Sequence, residues 1–123
     1  MNLQSKVKKM STDSASKASR NVPREKAFYF FTSVGNYTGM SAASLKEFMD
    51  RVNDVNVKSL EFHLQRGDFE KWAVEVLQDK DLALEIKRLQ RFNLTGDALR
   101  NQLRTVVSRR HTRLAAQGSS PHS

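Results

Sequence analysis

The sequence predicts a mainly α-helical fold, a small bundle of four or five helices preceded by a short N-terminal β-hairpin. Three observations lead to this prediction. Apolar residues after residue 43 recur at helical spacing, residues that favour helix caps precede those segments, and an aromatic run followed by a turn dipeptide stands before them. Hydrophobic residues make up 38% of the 123 positions, which suffices for one modest core.

The hairpin is predicted over residues 28–40. The run Phe28–Val34 is rich in aromatic and β-branched residues, Gly35-Asn36 is a tight-turn dipeptide, and Tyr37–Met40 can return as a second strand. The competing interpretation is a helix that begins near Pro23 and ends at Gly35. Because an isolated two-stranded hairpin is marginal in water, we expect its aromatic side chains to pack on helices.

The first predicted helix has a clear start. Ser44 and Glu47 form a capping box, and Ala43 and Phe48 are placed to act as a hydrophobic staple. The buried stripe of this helix then follows the i, i+3, i+4, i+7 pattern, and its members are Leu45, Phe48, Met49 and Val52.

Including this helix, four or five helices are predicted over residues 41–115. One ends at Gly67, the next is capped by Asp68, and another is capped by Asp79. After a break at residues 93–96, a longer helix runs from about residue 97 to residue 114. Short linkers imply that neighbouring helices pack together. We expect one core to contain Phe48, Leu60, Phe69 and Trp72.

Charge divides the chain into three segments. Residues 1–26 hold seven basic and two acidic residues, residues 27–86 hold six and ten, and residues 87–123 hold eight and one, for a net charge of +8. The first segment lacks aromatic residues, so we expect a disordered basic tail over 1–26, one domain over 27–115, and a second tail over 116–123. Because Met10 resembles an ordinary start, residues 1–9 are an extension in one interpretation.

Several function classes find no support in the sequence. The chain has no cysteine, no run of about 20 apolar residues, and no secretory signal, so we expect a soluble cytoplasmic protein. The histidines lack metal-ligand spacing, and phosphate-loop and hydrolase motifs are absent. We therefore expect no catalytic residues, no metal, no cofactor and no enzyme activity.

A longer pattern extends over residues 26–115. Its most specific part is Phe62-His63-Leu64-x-Arg66-Gly67-Asp68-Phe69-x-x-Trp72, and it also includes residues 27–31, 43–48 and 77–83. This pattern resembles a family of small archaeal and bacterial domains of unknown function. The resemblance implies a prokaryotic cytoplasmic setting and no established chemistry. Where such sequences carry Gly-Asp after the third helix, this chain has Gln78-Asp79.

The strongest polar cluster is His63, Arg66 and Asp68. On a helix, His63 and Arg66 are neighbours at i and i+3, and Asp68 begins the next helix. In the functional interpretation they bind a ligand or phosphate. In the structural interpretation Asp68 caps a helix, and the other two side chains satisfy nearby carbonyls or carboxylates.

The basic C-terminal part suggests nucleic acid as an alternative partner. The candidate phosphate contacts are Arg88, Arg91, Arg100, Arg104, Arg109, Arg110 and Arg113. In helical projection, Arg100 and Arg104 lie on one flank of the apolar stripe, and Arg109 and Arg113 lie on another. We expect Gln at these four positions, and at Arg110 near the helix end, to leave the fold intact. The leading hypothesis is a non-catalytic binding or regulatory module that acts through an unidentified protein partner.

Overall fold

The structure, a computed structural model, describes residues 21–119. Within this range a 3-10 turn (Arg24–Lys26) precedes a two-stranded antiparallel hairpin, and five helices follow. The strands are β1 (Phe28–Ser33) and β2 (Asn36–Ala42), and the helices are α1 (Leu45–Asp54), α2 (Val57–Arg66), α3 (Asp68–Glu75), α4 (Lys80–Gln90) and α5 (Gly96–Ser119). The predicted fold class is therefore confirmed.

The hairpin forms as predicted, and the competing helix does not. Phe28 pairs with Ala42 and Ser33 with Asn36, so β2 extends two residues beyond the predicted end. Gly35 in the turn has φ +83°, a conformation that glycine adopts without a steric penalty. Phe28 and Phe30 alternate with less buried neighbours and enter the core, as the period of a strand requires.

Helix α1 begins with the predicted capping box. The Glu47 backbone N–H donates to Ser44 Oγ at 3.1 Å, and the Ala43 N–H donates to the Glu47 carboxylate at 2.8 Å. Asp79 caps α4 as predicted, because its Oδ1 accepts the Leu82 N–H at 3.0 Å.

One core joins the hairpin to the helices. Phe48, Leu60, Phe69 and Trp72 are all buried in it, as predicted, together with Phe28. The Phe28 ring lies within 6 Å of the rings of its aromatic core neighbours Phe30, Phe48, Phe69 and Trp72. Helix α5 packs along α1, α2 and α4, while β1 packs on α2. No helix within residues 21–119 is long and apolar enough to cross a membrane.

The predicted tail boundary at residue 26 is too late. The Val22 N–H donates to the Ala43 carbonyl at 2.6 Å, and the Trp72 indole N–H donates to the Lys26 carbonyl at 2.8 Å. Since a buried indole N–H needs an acceptor, the backbone before β1 is part of the domain. At the other end α5 continues past residue 115 to Ser119. The remaining parts of the two predicted tails, residues 1–20 and 120–123, lie outside the described residues, as does the predicted extension 1–9.

The turn between α3 and α4 places Gln78 in the left-handed region, with φ +58°. The left-handed conformation is thus present at a position where the related pattern has glycine. For a residue with a Cβ this conformation costs about 1–2 kcal/mol, whereas glycine adopts it freely but loses more chain entropy on folding.

We predict that Gln78→Gly raises the free energy of unfolding by about 0.5–1 kcal/mol, because relief of the steric cost exceeds the added entropy loss. Urea denaturation measures the change. The matched control is Gln102→Gly, which puts glycine at an exposed position inside α5 and should lower the stability by about 1 kcal/mol. A loss of stability in both variants would contradict the strain at Gln78.

Candidate binding groove

An open groove of about 350 Å³ lies where β1 and its turn meet the corner between α2 and α3. Aromatic and aliphatic side chains from both sides line it, among them Phe31, Val34 and Phe62. The polar part of the lining comes from His63, Arg66 and Asp68. The structure therefore brings together all three residues of the predicted polar cluster and adds an apolar surface to them.

The local sequence explains how this corner forms. Gly67 ends α2 with φ +77°, and its N–H bonds to the His63 and Leu64 carbonyls. The chain turns there directly into α3, whose first residue is Asp68. Because His63 and Arg66 are one turn apart on α2, both side chains can reach the Asp68 carboxylate.

Asp68 does not cap α3, contrary to the sequence prediction. The residue before α3 is Gly67, and no side chain accepts a hydrogen bond at that helix start. Side chains in a helix tilt towards its N-terminus, which aims Asp68 back at α2. There its Oδ2 accepts hydrogen bonds from His63 Nδ1 at 2.7 Å and from Arg66 Nε at 3.1 Å.

Both nitrogens of the His63 ring have partners. The Phe31 backbone N–H donates to Nε2 at 2.8 Å, so Nε2 carries no proton, and Nδ1–H donates to Asp68. The ring is 4% exposed. Burial lowers the pKa of His63 below its ordinary value of 6.5, and Arg66 adds to this effect, while Asp68 partly opposes it. His63 is therefore a neutral link between β1, α2 and α3.

Arg66 is the cation of the groove. Its guanidinium lies over the Phe62 ring, 5.0 Å from the centroid, and Asp68 holds its Nε. The Arg66 side chain is nevertheless 53% exposed. The remaining guanidinium N–H groups have no hydrogen-bond partner within the described residues, so they are available to a ligand.

Catalytic or metal chemistry finds little support in this lining. The one imidazole already uses both nitrogens, and within residues 21–119 no three His, Cys, Asp or Glu side chains are placed to hold a metal ion. The arrangement suits binding, with an apolar floor and one fixed cation. The sequence analysis did not identify Phe31, Val34 and Phe62 as groove residues. The signals present were the aromatic run, which contains the first two, and the Phe62-His63 dipeptide, which contains the third.

Three of the seven candidate phosphate contacts are engaged within the domain. Arg100 donates to the Val55 carbonyl beside α1, whereas Arg109 contacts Glu85 on α4, so the two arginines lie on opposite flanks of α5. Arg110 is held by Asp79. The members of the set that are exposed and lack a described ion pair are Arg88, Arg91, Arg104 and Arg113.

Arg110 makes a buried contact that argues against the expectation that it can be replaced without effect on the fold. Arg110 Nε donates to Asp79 Oδ2 at 2.7 Å, and the two side chains are only 13% and 4% exposed. Asp79 also caps α4 through its other oxygen, so Arg110 neutralises a buried capping carboxylate. The predicted helix ended at about residue 114, and the sequence analysis therefore placed Arg110 near a helix end, whereas α5 continues to Ser119.

We predict that Arg110→Gln lowers the free energy of unfolding by about 3 kcal/mol, because it leaves the buried Asp79 charge without its partner. The neighbouring substitution Arg109→Gln is the control and should cost less than about 1 kcal/mol, since Arg109 is 55% exposed. Denaturant titration of both variants measures the difference. Equal losses would contradict a special role of the Asp79 pair.

We predict that the domain loses stability as the pH falls below about 6.5. The pKa of His63 is lower in the folded state than in the unfolded chain, so the unfolded chain binds the proton more readily. The contribution of the neutral ring is therefore complete above the unfolded pKa and decreases as the pH falls towards the folded pKa. Thermal or urea unfolding between pH 7.5 and pH 5 measures this dependence.

Two variants assign the pH effect to one ring. His63→Gln should weaken the pH dependence in this range, while His111→Gln on α5, which removes a different imidazole, should retain it. The same dependence in wild type and His63→Gln would exclude His63 as its source.

Comparison with known proteins adds a family but no activity. Neither the curated proteins nor the solved structures contain a significant match to this chain. A family model does match, over residues 3–108, and its description is "Family of unknown function (DUF5752)". The match includes both strands, the first four helices and the residues of the groove. The resemblance inferred from the sequence is thereby confirmed, and the chain belongs to the DUF5752 family.

Proposed function

We propose that this domain is a non-catalytic binding module that acts through a protein partner, and that the groove between β1 and the α2–α3 corner is its docking surface. The observation that carries the proposal is the composition of the groove. An apolar lining from Phe31, Val34 and Phe62 adjoins an exposed arginine, and the buried histidine beside them is already saturated with hydrogen bonds.

The size and shape of the groove favour a segment of protein over a metabolite. About 350 Å³ is near the lower end of the range for small-molecule pockets, which enclose most of their ligand. This groove is open, and Val34 at its edge is 82% exposed. Exposed apolar side chains grouped beside polar ones are typical of protein interaction sites.

The hydrogen bonds of His63 argue against acid–base catalysis. A general base needs an accessible lone pair within hydrogen-bond distance of its substrate. Nε2 of His63 already accepts the Phe31 N–H, and the ring is buried. Other carboxylates also have structural partners: Glu47 accepts the Ala43 N–H, and Glu61 accepts the Gly96 N–H.

Nucleic-acid association is the competing class. Phosphate recognition requires several cations along one surface, and three of the seven candidate arginines are engaged within the domain on different sides of α5. This distribution favours a protein partner. A prokaryotic cytoplasm, which the family resemblance implies, is the proposed setting of this interaction.

A photocrosslinking experiment tests the proposal. A photoreactive phenylalanine analogue replaces Val34 at the edge of the groove, and in a control variant it replaces Leu84, an exposed residue of α4 outside the groove. Irradiation in lysate of the natural host, with and without nuclease, precedes mass spectrometry. We predict a protein adduct that forms at position 34, survives nuclease, and is absent at position 84.

Each outcome has a defined meaning. If the position 34 adduct is lost when Phe62→Ala is added, the groove is its site, as proposed. Recovery only of nucleic acid, or only of nuclease-sensitive adducts, would favour the competing class. Equal adducts at positions 34 and 84 would remove the groove from the proposal, and turnover of a metabolite by the purified domain would overturn the non-catalytic assignment.

A further inference from the structure

We infer that the groove recognises the C-terminus of its partner, with the terminal carboxylate bound to Arg66 and an apolar last side chain packed against Phe31 and Phe62. This inference rests on the proposed function, and it specifies the chemistry of the partner segment.

The state of the Arg66 guanidinium is the first argument. Its Nε is held by Asp68 at 3.1 Å and its Cζ lies over the Phe62 ring, so the group is oriented before a ligand arrives. The two terminal nitrogens have no hydrogen-bond partner within the described residues, although the side chain is 53% exposed. A guanidinium fixed in this way can donate two parallel hydrogen bonds to one carboxylate, with little further loss of side-chain entropy.

The number of charges in the groove is the second argument. Arg66 is the only cation among the residues that line it, and Asp68 is the only carboxylate. The Asp68 carboxylate already accepts hydrogen bonds from Arg66 and His63. Because Asp68 already compensates the Arg66 charge, the free guanidinium N–H groups can bind one carboxylate but cannot neutralise the several negative charges of an acidic tract or a nucleic-acid backbone.

The distance between cation and apolar surface is the third argument. The Arg66 guanidinium lies 5.0 Å from the centre of the Phe62 ring, so the ligand must present its charge and its apolar group close together. In an extended peptide, adjacent side chains point to opposite faces, and next-nearest ones are about 6.6 Å apart. A C-terminal residue places its charge and its apolar group close together, because its carboxylate and its side chain branch from the same Cα.

The fourth argument comes from His63, which opposes a different mode of binding, the addition of a partner strand to β1. A partner strand can extend a sheet by pairing with free backbone groups of an edge strand. The Phe31 N–H, which would be one of these groups on β1, donates to His63 Nε2 instead. Recognition at this part of β1 therefore depends on side chains and on the ligand's terminal charge.

Paired peptides test the inference. Two sets of fluorescein-labelled hexapeptides of mixed sequence end in Phe, Leu, Ala or Lys, one set with a free carboxylate and the other with a carboxamide. Immobilised domain selects from both sets, and fluorescence anisotropy then measures the affinity of individual members. We expect carboxylate peptides that end in Phe or Leu to bind at least tenfold more tightly than their carboxamides, and those that end in Ala or Lys to bind more weakly.

Variants separate the contribution of the charge from that of the apolar surface. Arg66→Gln should abolish the preference for carboxylate over carboxamide, and Arg66→Lys should restore only part of it, because an ammonium lacks the planar fork. Phe62→Ala should weaken binding of both peptide forms. Arg88→Gln removes the same charge from an exposed position on α4 and should bind as wild type does. Circular dichroism verifies that each variant is folded.

The results that would overturn the inference are distinct from those that would overturn the proposed function. Equal binding of carboxylate and carboxamide peptides, an unchanged preference in Arg66→Gln, or no binding from either set would each refute recognition of a C-terminus. The position 34 adduct is measured independently of these peptides, so a groove that binds an internal protein segment would still give it. The proposed function is tested by the adduct and not by the peptides, so absence of the adduct would contradict the proposed function.

Discussion

The hydrogen bonds of the buried His63 imidazole link the hairpin to the α2–α3 corner, where the groove lies. An isolated hairpin of this size has little stability of its own. Here its strand β1 is attached to the helices by the aromatic core and by the bond from the Phe31 N–H to Nε2. The opposite ring nitrogen donates to Asp68, so a single neutral side chain joins three elements.

The same bonds determine what the groove can offer to a partner. Because Asp68 accepts from both His63 and Arg66, its charge is compensated within the corner. Arg66 is oriented by that contact and by Phe62, and its side chain remains half exposed beside apolar surface. The same interactions thus stabilise the corner and orient the proposed binding group, so this charge cluster does not require catalysis as its explanation.

Several charged side chains elsewhere in the domain form contacts within the fold. Arg110 neutralises the buried cap Asp79, Arg100 donates to a backbone carbonyl after α1, and Arg109 contacts Glu85. Two of these contacts tie α5 to α4 and its cap, and the third ties α5 to the residue after α1. A net charge of +8 is therefore a poor guide to the partner, because part of it balances carboxylates and carbonyls inside the fold.

The sequence by itself determined the elements of this protein. The capping box at Ser44, the cap at Asp79, the glycine at position 67 and the helical spacing of the core residues act over a few residues, so their consequences are visible locally.

The tertiary structure decided how the polar residues are used. Asp68 faces back to His63 instead of capping α3, and Arg110 reaches Asp79, 31 residues away in the chain. Such partners depend on how helices pack, which a local pattern does not encode. The apolar half of the groove has the same origin, because Phe31 on β1 and Phe62 on α2 come together only in the tertiary structure.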